Sequence, residues 1–213
     1  MILTSDTPIN RLGIFFFYDA QGVVDDYVLK LLDGFMPHFS ALTIVCNGKL
    51  NDAGREKLLR YTSKLIVRDN KGFDVWAYKT ALDSYGWQKL EQFDEIVLFN
   101  ATIMGPVYPF REMFACMDRK DVDFWGITAY AGETVDKEQI PTHLQAYWHA
   151  YRRSLVSSPA FHEYWETMPL WKDYAEVTRK HEMTFTKHFT DLGFTWTSYI
   201  DWRKYQGYSS YPL

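Results

Sequence analysis

Apolar positions in the first two thirds of the chain fall into two alternating patterns. Short continuous runs have the length and the β-branched or aromatic content of buried strands: Leu12–Tyr18, Leu42–Cys46, Lys64–Val67, Glu95–Phe99 and Asp123–Thr128. Between them lie stretches with helical spacing, at Val23–Met36, Asp52–Tyr61, Phe73–Tyr85 and Tyr108–Met117. In the first of these, Val24, Val28, Leu31, Leu32 and Phe35 share one face. Strands alternating with helices of this length predict an α/β fold, a mostly parallel sheet flanked by helices. Residues 129–142 are polar and turn-rich and are expected to form a surface loop. The last third reads as mainly helical, over Leu144–Leu155, Pro159–Thr167 and Asp173–Leu192, with Phe194–Ile200 as a closing strand. The Tyr-rich tail, Asp201–Leu213, stops without an end signal, as it would if the chain were the front part of a longer protein.

Composition narrows the class. The chain has 213 residues, enough for a single domain over 1–213 that needs no disulfide or metal to fold. With 47% hydrophobic and 23% charged residues, wholesale disorder is excluded. A net charge of -4 argues against a nucleic-acid partner. Aromatic residues reach 18%, a content that suits either sugar and base stacking or a ring-filled core. Cys46 and Cys116 each sit in an apolar run and are expected to be buried free thiols, which fits a reducing, cytoplasmic setting. Met1–Arg11 lacks the pattern of a signal peptide, and no apolar run is long enough to span a bilayer.

Ligands of open α/β sheets bind beyond the carboxyl ends of the strands. That rule directs attention to four clusters. Arg68, Asn70, Lys71, Gly72 and Asp74 follow the third strand. They suit cations near phosphate, a close backbone approach at Gly72, and a carboxylate accepting from a base or ribose hydroxyl. They equally suit a helix cap with solvated charges. Asn100, Ala101 and Thr102 follow the fourth strand, where short oxygen-bearing side chains suit a cation or ribose, or simply a turn. His143, Gln145, Tyr147 and Arg152 lie in a stretch read as an amphipathic helix. Glu182, in His181–Thr186, is a general base if it faces the cleft and an ordinary helix Glu otherwise. His149, His162, His181 and His188 show no ligand spacing among themselves. Phosphate-loop, dinucleotide, zinc and nucleophile-elbow motifs are all missing from the sequence.

Several of these stretches occur together, and in order, in a known family. Asn70–Asp74 (NKGFD), Phe93–Pro106, Asp123–Thr128, His143–Trp165 and the pattern from Glu182 to Phe194 resemble the rhamnan synthesis protein F family. These are glycosyltransferases that build rhamnose-containing bacterial cell-wall polysaccharides. The resemblance implies a Rossmann-like sheet of the GT-A class and a nucleotide-sugar donor, with dTDP-L-rhamnose favoured. It implies an inverting displacement with Glu182 as base and His143 and Gln145 near the reacting centre. Asp74 and Asn47 would hold the nucleoside, and Asn100 and Thr102 would face the diphosphate or sugar. Arg68, Lys71 and Arg152 would supply positive charge, and Trp125, Tyr147 and Trp148 would stack on sugars. The loop at 129–142 would close over the donor. The acceptor implied is a lipid-linked glycan, reached by peripheral contact with the inner face of the cytoplasmic membrane.

The family's Asn-Asp-Ser/Thr motif is Asn100-Ala101-Thr102 here. A methyl group cannot ligate, so a need for Mg²⁺ or Mn²⁺ is left open. The same substitution keeps other readings alive: a UDP-hexose donor on the same fold, a non-catalytic nucleotide- or glycan-binding module, or a scaffold domain.

Overall fold

The computed structural model describes residues 2–3 and 8–205. The end of the tail read above, from residue 206 on, lies outside the described residues, as does part of the amino-terminal stretch. The first half follows the predicted alternation. Strand β1 (Arg11–Tyr18) leads to α1 (Asp26–Phe35), β2 (Ala41–Asn47) to α2 (Asp52–Leu58), and β3 (Lys64–Arg68) to α3 (Phe73–Tyr85). A short α4 (Trp87–Leu90) precedes β4 (Glu95–Asn100), and α5 (Phe110–Met117) precedes β5 (Phe124–Gly126).

Beyond β5 the chain departs from the expectation twice. Residues 129–142 are not an irregular loop. β6 (Ala129–Tyr130) pairs antiparallel with β9 (His143–Leu144) and encloses a hairpin of β7 (Glu133–Val135) and β8 (Glu138–Ile140). Asp136 and Lys137 turn that hairpin with positive φ, 49° and 72°, which matches the twist of the strands. The predicted helix over Leu144–Leu155 is corrected outright. Trp148–Arg152 is strand β10, and only Arg153–Val156 is helical, as α6. Tyr147, Trp148 and Tyr151 are aromatic residues of high strand propensity, and they pack on both faces of a buried sheet. The helical remainder is α7 (Pro159–Glu166), α8 (Tyr174–Val177), a π-helical turn at Thr178–Glu182, and α9 (Met183–Asp191). β11 (Trp196–Ser198) closes the fold as the sequence predicts.

The seven-stranded sheet runs β11-β5-β10-β4-β1-β2-β3. β1, β2, β3 and β4 are mutually parallel, β11 is parallel to β5, and β10 runs against both of its neighbours. Successive residues of the central strands feed opposite cores. Leu12 and Ile14 of β1, with Ile96 and Leu98 of β4, pack under α3, α7 and α9. Phe15 and Phe17, with Val97 and Phe99, pack under α1 and α5. Burial on both faces explains the unbroken apolar runs. It also absorbs most of the aromatic content. Phe35 stacks on Phe110 at 3.7 Å and on Trp148 at 4.7 Å, and Trp148 lies 5.9 Å from Trp125. Trp125 and Trp148 are fully buried, so the sugar-stacking role expected of them is withdrawn. Cys46 is buried, and burial pushes its thiol up to about 11. Cys116, on the outer side of α5, is exposed, contrary to expectation.

Arg152 is also corrected. Its side chain is fully buried at the amino end of β4, the end of the sheet opposite to the predicted site. Register pairs Arg152 with Glu95, and its Nε lies 3.0 Å from Glu95 Oε2 without hydrogen-bond geometry, so the attraction is coulombic. Arg11 Nε donates to Glu95 Oε1 at 2.5 Å, and Trp125 Nε1 donates to Glu95 Oε2 at 2.7 Å. Arg11 also donates to Asp118 at 2.6 Å, and Arg152 to the carbonyl of Met117 at 2.9 Å. Two arginines therefore balance two carboxylates in a dry setting. Removing one partner leaves an uncompensated buried charge, a loss of about 3–5 kcal/mol. Arg152→Met is expected to fall in that range in urea unfolding. Lys187→Met, which breaks only the exposed pair with Asp191, is expected to lose about 0.5 kcal/mol or less.

Candidate functional site

The parallel strands deliver their carboxyl ends to one edge. Tyr18 pairs with Asn47 and Asn47 with Arg68, while Asn100 lies beside Phe16. β10 enters the sheet at this same edge because it runs the other way, with Trp148 opposite Phe99. Gln145, Ala146 and Tyr147 are thus brought beside Asn100, whose backbone N–H donates to the carbonyl of Tyr147 at 3.2 Å.

Asn47 and Arg68 hold the turn between β3 and α3. Asn47 Nδ2 donates to the carbonyl of Phe73 at 2.9 Å and to Asn70 Oδ1 at 3.3 Å. Arg68 donates to Asn47 Oδ1 at 2.8 Å and to the carbonyl of Lys71 at 2.9 Å. The turn needs this support. Gly72 has φ +71°, where a Cβ would sit 2.5 Å from the Trp76 ring and 2.7 Å from Leu170. Phe73 follows with φ 57°, a left-handed conformation that is strained for a bulky residue. Asn47 and Arg68 therefore shape the site from below. Asn70, Lys71 and Gly72 line an open cleft of about 460 Å³ whose other wall is Leu170, Trp171 and Lys172. Sequence reasoning missed that second wall, since residues 170–172 carry no local motif. Lys71 is exposed and pairs with Asp69 at 3.0 Å.

Asp74 opens α3 and faces the middle of the edge. Its Oδ1 accepts from the N–H of Val75 at 2.9 Å, and its Oδ2 accepts from Asn100 Nδ2 at 3.3 Å. Burial raises its pKa above the ordinary carboxylate value, the Asn100 hydrogen bond opposes that rise, and the charge of Glu182 adds to it. The structure thus joins two carboxylates that the sequence separates by 108 positions. Glu182 ends the π-helical turn, a rare irregularity that often marks a functional site. Its Oε1 accepts from the N–H of Ala146 at 3.2 Å, which points the carboxylate at the strand-end cluster. Next to it, His181 turns inward, where its Nδ1 meets the Tyr164 hydroxyl at 2.8 Å. Burial lowers the His181 pKa to about 3, so the ring is neutral.

Other predicted residues are placed differently. Asn100 is buried, and its Oδ1 accepts from both the N–H and the hydroxyl of Thr102, at 3.1 and 2.6 Å. Thr102 is exposed at the rim. Gln145 Oε1 accepts from Thr128 Oγ1, which also bonds the Tyr147 hydroxyl, both at 2.6 Å. His143 is buried in the β6–β9 ladder, with Nδ1 donating to the carbonyl of Pro141 at 2.8 Å and its ring 5.3 Å from Tyr130. Those partners belong to the hairpin, not to the Asp74, Asn100 and Glu182 group. The Asn100-Ala101-Thr102 triplet does not fit a divalent cation on its own, because Ala101 offers a methyl group and Asn100 Oδ1 is already doubly engaged. Among the described residues, no group of three or more His, Cys, Asp or Glu side chains is arranged for a metal.

The rhamnan synthesis protein F family matches residues 42–212. An uncharacterized protein of Sinorhizobium fredii is 24% identical over 183 residues, covering 86% of this chain. The chain spans just under half, 46%, of that relative's length. Among solved structures, 4-diphosphocytidyl-2C-methyl-D-erythritol synthase from Anaerococcus prevotii shares the fold with a TM-score of 0.53 at 10% identity, over 90% of this chain and 89% of that one. Glucosyl-3-phosphoglycerate synthase from Mycobacterium tuberculosis, solved with uridine diphosphate, aligns at 11% identity over 69% of this chain and 58% of its own, with a TM-score of 0.43.

Asp74 gives the site a pH signature. A raised carboxyl pKa means that the folded state favours the protonated form. The associated stability is complete below the unfolded value of about 3.9 and is lost as pH rises through the folded one. Asp74→Asn is expected to remove that decline. Urea unfolding of the two proteins at a series of pH values should show the difference shrinking or reversing from acid to neutral pH.

Proposed function

The chain belongs to the rhamnan synthesis protein F family, and we propose that its strand-end cleft transfers a sugar from a nucleotide diphosphate to a growing glycan. Family and fold together support a nucleotide-sugar transferase. The observation that carries the chemistry is Glu182, anchored through one carboxylate oxygen on the Ala146 N–H, beside Asp74 and Asn100.

In this reading the donor lies over the ends of β1–β4, with its diphosphate toward the Asn70–Gly72 cleft. Lys71 and Lys172 are the cations lining that cleft, and they would offset charge that grows on the leaving diphosphate. Asn47 and Arg68 act through the turn that they brace, and Asn100 holds Asp74 and Thr102 in place. The free oxygen of Glu182 takes the proton of the acceptor hydroxyl as that oxygen attacks the anomeric carbon. The bond from that carbon to the diphosphate breaks on the opposite face, which inverts the configuration.

The family favours dTDP-L-rhamnose as donor and a lipid-linked glycan at the inner membrane face as acceptor. Ala101 favours a second reading, a module that binds nucleotide without turnover. A general base contributes about 10²–10⁴-fold to rate. Glu182→Gln is expected to lose that factor in dTDP-rhamnose turnover while dTDP raises the melting temperature of both proteins equally. Turnover of UDP-glucose in place of dTDP-rhamnose would move the donor assignment. Nucleotide binding with no turnover in either protein would favour the binding module.

A further inference from the structure

Across the strand ends from the donor cleft lies a second concavity, lined in part by Tyr147. It holds about 290 Å³ and is built from four strand ends. Ile103, Met104 and Tyr108, in the segment after β4, form one wall. Ile127, just past β5, and Tyr147, just before β10, form the floor. Tyr199 and Ile200 form the far wall, and this wall is fixed by its backbone. Tyr199 N–H donates to the carbonyl of Gly126 at 2.9 Å, and Ile200 N–H to that of Ile127 at 2.8 Å, so the chain past β11 continues to run along β5.

We propose that this pocket seats the acceptor as a neutral saccharide, with one ring face against tyrosine and aliphatic side chains. The proposal rests on the transferase reading. Three observations support it. First, the pocket and the candidate base meet the same stretch of chain: Tyr147 lines the pocket, and the preceding residue, Ala146, donates its N–H to Glu182. The donor cleft lies on the other side of Asp74 and Asn100, toward β3, which leaves this side for the attacking hydroxyl. Second, among the described residues no charged side chain lines the pocket, so they offer nothing to a phosphate or a carboxylate. Third, its volume falls just under the usual range of small-molecule sites and suits a short saccharide better than an extended lipid chain. Tyrosine pairs a flat apolar face with a polar tip, which matches the C–H face and hydroxyl rim of a sugar.

The test uses the full chain and saturation-transfer NMR with four probes: methyl α-L-rhamnopyranoside, methyl α-D-glucopyranoside, glucuronate and n-decanol. At least one neutral glycoside should bind, more tightly than glucuronate or decanol. Tyr199→Ala and Ile200→Asp change half-exposed side chains, so the fold should tolerate both. Each should weaken glycoside binding about tenfold, equivalent to about 1.4 kcal/mol, while stabilisation by dTDP stays as in the parent. Absence of glycoside binding, equal binding by the variants, or preference for glucuronate or decanol would overturn the proposal. Glycoside binding that responds to both variants, in a protein that dTDP fails to stabilise, would support the pocket and strike the transferase reading instead.

Discussion

Glu95 is the constraint on which the arrangement rests. It is fully buried at the amino end of β4, and three strands answer it: Arg11 from β1, Arg152 from β10 and Trp125 from β5. A charge in that position is costly unless it is paired and hydrogen-bonded. Pairing fixes the register, since a slip of one residue in β10 would turn Arg152 to the other face and leave Glu95 with one arginine fewer. The pairing also favours the antiparallel course of β10, because only a strand ending here brings its last residue to Glu95. The functional consequence appears at the opposite edge. A strand that ends at Glu95 must begin at the carboxyl ends of its neighbours, and its lead-in residues, Gln145 to Tyr147, are the ones that meet Glu182, Thr128 and Asn100.

At that edge the polar residues divide by what they touch. Asn47 and Arg68 direct their hydrogen bonds to the backbone of residues 71 and 73, to the Asn70 side chain and to each other. They hold two successive left-handed residues, one of them a phenylalanine, in a turn that would otherwise relax. Asp74, Asn100 and Glu182 instead face one another across the middle of the edge, and the clefts open on either side of them. A rigid frame below and a small set of mutually positioned groups above is the arrangement that transfer chemistry needs, because misplacement of a reacting group is costly in rate.

Much of this was legible in the chain. The strands β1 to β4 are short apolar runs closed by turn residues, and their order alone directed attention to Asn47, Asp74 and Asn100. Phe73–Tyr85 is helical to the residue. The segment from His143 to Arg152 misled, because aromatic and small residues in a short run satisfy helical and strand spacing alike. That error carried Arg152 to the wrong end of the sheet, where a buried carboxylate 57 positions earlier claims it. Trp125 and Trp148 misled for a related reason, since composition does not say which rings face a core. The π-turn before α9 and the walls supplied by residues 170–172 and 199–200 left no local pattern, because they arise only from packing between distant segments.

If the carboxyl ends of β1–β4 receive a nucleotide diphosphate, amide hydrogen exchange with and without dTDP will show where it sits. Exchange slows where a ligand suppresses local opening. That slowing is expected at residues 47–48, 69–75 and 100–102, with the Glu95 end of the sheet unchanged. Slowing confined to other surfaces, or no change with dTDP, UDP or GDP, would contradict that placement.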